Sequence, residues 1–209
     1  MIYVIPAINE TNPQSFQAKL RIAEKLSTLI HIDIGDGKFV KHETIPLTLL
    51  QDATRNPLAI HYMGRSPFKQ IENLPKNTHQ FIFHYETSPR KTADIIKKCA
   101  ELDIKPVIAI RPKTAVSTIS AHLHENVGVH VLTVEPGKSG QELMTWCLGK
   151  VREIKDINPK IIVSVDGGVN TSTAPLVKLY PADSVAVSSA IFASKNPERA
   201  FKDLERALN

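Results

Sequence analysis

Cysteine is scarce in this chain: Cys99 and Cys147 are the only two among 209 residues. Both fall in helix-type segments with no metal-type spacing between them, so neither a disulfide framework nor a thiolate metal site is expected. Long apolar runs are missing too, and nothing approaches the length of a membrane span. The start, Met1-Ile2-Tyr3-Val4-Ile5-Pro6, lacks the basic flank and small-residue cleavage site of a secretory signal. The expectation is a soluble protein of the cytoplasm with no membrane partner. A further absence concerns cofactors. No Gly-x-Gly-x-x-Gly turn follows the first apolar run, which removes the main reason to expect a dinucleotide-binding sheet. Charge of one sign is not concentrated either. The net charge is +5, but the lysines and arginines are scattered without a basic block or interleaved aromatics, so no nucleic-acid partner is expected. A mildly positive field still favours a small phosphorylated anion. There is no linker, low-complexity segment or repeat, and 42% apolar content over this length fits a single domain spanning 1–209.

What the chain does have is alternation. Strand-like runs are expected at Tyr3 to Ala7, Leu29 to Ile34, Leu58 to Tyr62, Gln80 to His84, Pro106 to Ile110, Val129 to Thr133, Lys160 to Val165 and Ser184 to Val187. Between them lie helix candidates near 13–27, 45–54, 66–74, 88–102, 114–123, 141–156, 172–179 and 196–207. Apolar residues at helical spacing mark their buried faces, as with Ile95, Ile96, Cys99 and Leu102. Eight strand-helix units with both strand faces apolar call for parallel pairing and right-handed crossovers. The expected fold is α/β, a single-domain (β/α)8 TIM barrel. Its connections must be short, because that fold more often takes ~250 residues. A doubly wound open sheet is the structural alternative.

Polar residues gather where such a barrel does its chemistry, at the C-terminal strand ends. The second run ends in His31-Ile32-Asp33-Ile34-Gly35-Asp36-Gly37. Alternation puts His31 and Asp33 on one face and Ile32 and Ile34 on the other. On this stretch alone, a His-Asp pair that merely fixes a loop accounts for the residues slightly better than a metal site. His61 alone would more often be a satisfied interior histidine, and Asp166 before two glycines a turn former. Together, however, His31, Asp33, His61 and Asp166 are two imidazoles and two carboxylates on three strands, the composition of a catalytic metal centre. His84, Arg111 and Glu135 also sit at strand ends, where structural hydrogen bonding is the better expectation. His122, His124 and His130 are read as peripheral and given no metal.

Glycine-bearing loops meet a different need. Gly137, Gly140, Gly167 and Gly168 let backbone approach a ligand closely, and barrels often hold phosphate after strands seven and eight, where Gly167-Gly168 and Ser188-Ser189 stand. Ordinary turn chemistry is the competing account. Lys138 offers a charge-assisted contact to phosphate, and an exposed lysine explains it equally well.

These residues resemble the ribulose-phosphate 3-epimerase family. The resemblance runs from Ile5-Pro6 through the His31 to Val40 stretch, Ile60-His61-Tyr62-Met63, Phe83-His84-Tyr85-Glu86, Thr133-Val134-Glu135-Pro136-Gly137 and Val165-Asp166-Gly167-Gly168-Val169-Asn170 to Ser189-Ala190-Ile191-Phe192. It implies a barrel with one divalent metal, zinc before iron, manganese or cobalt, on His31, Asp33, His61 and Asp166. It also implies an isomerase of carbohydrate metabolism, in the pentose phosphate pathway, that exchanges ribulose 5-phosphate and xylulose 5-phosphate. Asp33 and Asp166 would then be reciprocal acid and base on opposite faces of a planar enediolate. Met63, Gly137, Lys138, Ser139, Gly140, Gly167, Gly168, Ser188 and Ser189 would line the phosphosugar site.

The chain departs from the family pattern at several places. Ala7 stands for a usual serine, Gly35 and Leu132 for methionines, Lys41-His42 for proline-asparagine, Lys138-Ser139 for phenylalanine-glycine, and Ser188 for glycine. Gly35 is expected to enlarge the pocket. These changes leave open another ketose phosphate such as allulose 6-phosphate, or a metal and phosphosugar-binding barrel with little turnover. An aldolase or decarboxylase relative is disfavoured, because no expected strand carries a lysine at its C-terminal end. Whether the chain forms a homo-oligomer is open.

Overall fold

Eight apolar runs in the sequence become eight strands, paired in chain order and closed into one parallel ring. The computed structural model describes residues 1–209. The strands are β1 (Tyr3–Ile8), β2 (Ile30–Gly35), β3 (Leu58–Met63), β4 (Thr78–His84), β5 (Lys105–Ile110), β6 (Gly128–Leu132), β7 (Val163–Asp166) and β8 (Ser184–Val187). Closure comes from β1 against β8, with Tyr3 opposite Ser184 and Pro6 opposite Val187. The chain ends reinforce that seam: Ile2 N–H donates to Asn209 Oδ1 at 2.7 Å, and the Asn209 amide donates to Ile2 O at 3.1 Å.

Short connections explain how the barrel closes in so few residues. Full α-helices form at α1 (Pro13–Leu26), α2 (Thr92–Glu101), α3 (Gly149–Ile157) and α6 (Pro197–Leu208), with single turns α4 (Ala174–Val177) and α5 (Ser189–Phe192). Three expected α-helices are 3-10 segments instead, over Leu47–Leu50, Pro67–Asn73 and Val116–His122. The last is built from Val116-Ser117-Thr118-Ile119-Ser120, residue types that lose side-chain freedom or compete for backbone hydrogen bonds in an α-helix. Where α-helices do form, their starts are fixed locally. Asn12 and Asn196 cap the backbone N–H of Ser15 and Arg199, each at 2.9 Å, and a proline follows each cap. No helix is long and apolar enough to cross a membrane.

Each strand serves two environments. Ile30, Ile32 and Ile34 of β2 and Leu58 and Ile60 of β3 face outward into the main apolar cluster beneath the helices. A second, small cluster of Ala59, Ile82, Val107, Ala109 and Leu132 lies inside the ring. The rest of the interior is polar. His31, Asp33, His61, His84 and His130 are all buried there. An interior with that many ionisable groups has too little apolar surface to hold the ring; the outer cluster does that, and the lumen is left for chemistry.

Candidate active site

Strand register assembles the site. β2 pairs with β3 so that Asp33 lies opposite His61, and β6 pairs with β7 so that Leu132 lies opposite Asp166. His31 Nε2 is 3.0 Å from Asp33 Oδ1, and His61 Nδ1 lies 2.9 Å from the same oxygen. Asp166 Oδ2 reaches to 3.6 Å of His61 Nδ1 from the other side. The four side chains read from the sequence as one set therefore meet.

A buried relay runs outward from His61. Its Nε2 is 3.0 Å from His84 Nε2, and His84 Nδ1 is 3.2 Å from Glu86 Oε2. Glu86 Oε1 accepts the Arg111 backbone N–H at 2.8 Å and the Thr114 hydroxyl. Burial works to raise the Glu86 carboxyl, but hydrogen bonds from His84, the Arg111 backbone and Thr114 outweigh it and bring its pKa down to about 2. Glu86 is thus an acceptor only, so His84 Nδ1 is the donor to it. With the proton shared between the two facing Nε2 atoms placed on His61, His84 accepts there and His61 Nδ1 is left with a bare lone pair. Burial brings His61 down to about 3, so it stays neutral despite Asp33.

That proton inventory bears directly on a metal. The His61 Nδ1 lone pair faces two carboxylate oxygens. Burial again works to raise Asp33 and Asp166, but the His31 and His61 imidazoles beside Asp33, and the His130 imidazole beside Asp166, hold both below the ordinary carboxylate range. Three acceptors turned toward one another repel unless a cation lies among them. Nitrogen and oxygen donors in this mixture suit a divalent transition metal.

One correction concerns His130. Read as peripheral, it is instead an interior residue of β6, 1% exposed, with Nε2 3.0 Å from Asp166 Oδ2 and Nδ1 2.6 Å from Ser164 Oγ. The donor atoms of His31, His61, His130 and Asp166 all lie within 4.8 Å of one another. The signal was present in the sequence: His130 shares parity with Leu132, which stands where the family pattern has a methionine and which lines the cleft. His122 and His124 do lie away from the site, on the segment before β6.

Above the donor cluster a cleft of about 540 Å³ opens at the C-terminal end of the ring. Asp33, His61, Met63 and Asp166 form its floor side, together with Ala7 and Leu132. Gly137, Lys138, Ser139 and Gly140 line it after β6, Gly167 and Gly168 after β7, and Ser188 and Ser189 after β8. Two of these glycines are demanded by the backbone. Gly167 has φ of +113°, and a Cβ there would stand 2.3 Å from Val134; Gly168 has φ of +70°, with Leu143 N at 2.4 Å. Gly35 does not enlarge the cleft as expected. A Cβ on it would meet Val40 and the His42 carbonyl, each at 2.8 Å, so the loop after β2 has folded into the space a larger side chain would take.

Arg111 and Glu135 pair at the mouth, with Arg111 Nη2 2.6 Å from Glu135 Oε2 and the guanidinium over the Phe39 ring. Lys150, given no role from the sequence, reaches from α3 to the carbonyls of Arg111, Pro112 and Thr114 at 2.6–2.9 Å. It thereby holds the loop that carries two partners of Glu86. Nothing in its own helix-type segment marks that long-range task.

Comparison with known proteins bears on this geometry. The model of the ribulose-phosphate 3 epimerase family matches residues 3–192. The chain belongs to that family. Among curated members, it is 31% identical to the ribulose-phosphate 3-epimerase of Schizosaccharomyces pombe over 87% of this chain and 82% of that one. It is 30% identical to the Bacillus subtilis ribulose-phosphate 3-epimerase over 98% of both chains. These relatives make the family one of carbohydrate epimerases, within the isomerase class. Solved structures extend the likeness of fold beyond the family. A 3-hexulose-6-phosphate synthase superposes with a TM-score of 0.72 at 16% identity over the whole of both chains. A 3-keto-L-gulonate-6-phosphate decarboxylase from Vibrio cholerae gives 0.70 at 13% identity over 99% of this chain and 97% of that one.

Proposed function

We propose that this family member interconverts D-ribulose 5-phosphate and D-xylulose 5-phosphate, as one domain over 1–209 working in the cytoplasm on a small phosphosugar. The observation that carries this reading is the placement of Asp33 and Asp166. They come from β2 and β7, approach the same His61 nitrogen, and both face the cleft.

A carboxylate with an ordinary pKa of ~3.9 is a weak base toward a carbon-bound proton. The reaction therefore needs strong stabilisation of the enediolate as well as well-placed bases. His31, Asp33, His61 and Asp166 are the residues that would hold a divalent metal, zinc before iron, manganese or cobalt given the imidazole donors. Such an ion supplies Lewis-acid stabilisation of negative charge on the sugar oxygens, worth several kcal/mol. The protein's own groups do the rest. Asp33 as a carboxylate takes the proton from the carbon beside the ketone and is left protonated, and the electrons of that C–H bond enter the adjoining carbonyl system. Asp166, which takes a proton from solvent before the cycle, gives it to the opposite face of the same carbon and is left as a carboxylate. In reverse turnover the two exchange roles. Met63, Ala7 and Leu132 give the planar fragment an apolar surround that excludes water. Backbone N–H groups near Gly167, Gly168 and Ser189, with Lys138, Ser139, Gly137, Gly140 and Ser188 around them, take the phosphate.

Zinc-loaded protein given either ketose phosphate is expected to carry both to the same equilibrium ratio. A chelator should stop the reaction and added zinc restore it. Protein that binds zinc and sugar yet leaves both pentulose phosphates unchanged contradicts the proposal.

A further inference from the structure

We propose that His130 supplies a third imidazole to the metal centre through Nε2, making the donor set richer in nitrogen than His31, His61 and the two aspartates alone. This rests on the reading that a divalent metal sits among those residues, and it adds a ligand that the sequence reading had placed away from the site. The geometry has three parts. First, His130 is 1% exposed on the inner face of β6, one of its ring nitrogens clusters with donor atoms of His31, His61 and Asp166, all within 4.8 Å of one another, and Nε2 is the nitrogen that faces Asp166 Oδ2, at 3.0 Å. Second, its ring packs against two other site imidazoles, 5.4 Å from His31 and 4.9 Å from His61 between centroids. Third, its remaining nitrogen is already held from outside: Nδ1 lies 2.6 Å from Ser164 Oγ.

The third point is the most telling. A metal-binding imidazole generally turns one nitrogen to the ion and gives the other to an outer partner that fixes its tautomer and orientation. His61 follows this pattern, with Nδ1 at the cluster and Nε2 on His84. His130 follows it too, with Nε2 at the cluster and Nδ1 on Ser164. With Nδ1–H donated to Ser164, His130 Nε2 is a lone pair facing Asp166 Oδ2 at 3.0 Å. That is a second pair of opposed acceptors which a shared cation would relieve. The opposite tautomer makes His130 only a hydrogen-bond donor to Asp166, a positioning residue, and the two accounts differ in what can be measured.

X-ray absorption on the zinc-loaded wild-type protein counts imidazoles directly. Three per zinc are expected, and two in His130→Leu, which fills similar volume without a donor. His130→Leu should also weaken zinc by more than the ~10–100-fold that loss of an outer hydrogen-bond partner costs. Manganese, which suits oxygen donors, should lose less. Two imidazoles per zinc in the wild type overturn the assignment of His130 and leave the metal centre itself standing. Failure of the wild type to bind any divalent ion overturns both. The wild-type count decides even if the leucine variant does not fold.

Discussion

Ile30, Ile32, Ile34, Leu58 and Ile60 on the outer faces of β2 and β3 pack into an apolar layer and have no side-chain polar group to satisfy. His31, Asp33 and His61, one residue away on the inner faces, are as thoroughly buried, but each is tied to a polar partner within 3.0 Å. The outer face is held by volume and area removed from water, so it tolerates exchange among residues of similar size. The inner face is held by donor and acceptor matching, where losing one partner leaves another buried and unsatisfied. A single strand thus carries stability on one side and chemistry on the other. The two can be broken separately.

The largest effect is expected inside the ring. Asp33→Asn and Asp166→Asn should each lower turnover by about a hundred- to ten-thousand-fold, the usual worth of a positioned acid or base. Steady-state rates with either pentulose phosphate measure this, and far-ultraviolet circular dichroism should show the barrel retained. Outside the ring the order reverses. Ile60→Ala should cost about 2–5 kcal/mol of stability in urea unfolding and leave the rate per folded molecule unchanged. An equal loss of rate would mean that the two faces are not independent.

The smallest effect sharpens the comparison at the relay. Glu86 has its folded pKa lowered from 4.5 to about 2, so its contribution is present above pH 4.5 and is lost as pH falls toward 2. Glu86→Gln should flatten the acid limb of the stability curve in that window, removing at most about 3 kcal/mol of pH dependence. An unchanged acid limb would mean that His84, Arg111 and Thr114 do not hold the carboxylate as described.

Much of this was legible from sequence because period-two alternation reports both faces at once. The ring of eight strands, and the meeting of His31, Asp33, His61 and Asp166, followed from apolar runs whose ends carry the polar residues. Other features depend on contacts between distant segments, which no local pattern records. Lys150 reaches back to the loop after β5. Val40 and His42 fill the space beside Gly35, so a glycine that looked like an enlarged pocket is a place where the chain packs against itself. The 3-10 connection at Val116–His122 was expected as an α-helix because apolar spacing alone does not register how poorly Ser, Thr and Val sustain one. His130 differs from these. Its parity with Leu132 pointed inward, but it was read as peripheral with His122 and His124, because the partners that mark it, Ser164 and Asp166 on either side of its ring, come from another strand.

The central claim is that Asp33 of β2 and Asp166 of β7 move a proton on and off the carbon beside a ketone. Metal-loaded protein in heavy water with D-ribulose 5-phosphate tests it most directly. Deuterium is expected on that carbon in the D-xylulose 5-phosphate formed, at the rate of epimerisation. A fully metallated protein that leaves the carbon unlabelled in both sugars would contradict the account.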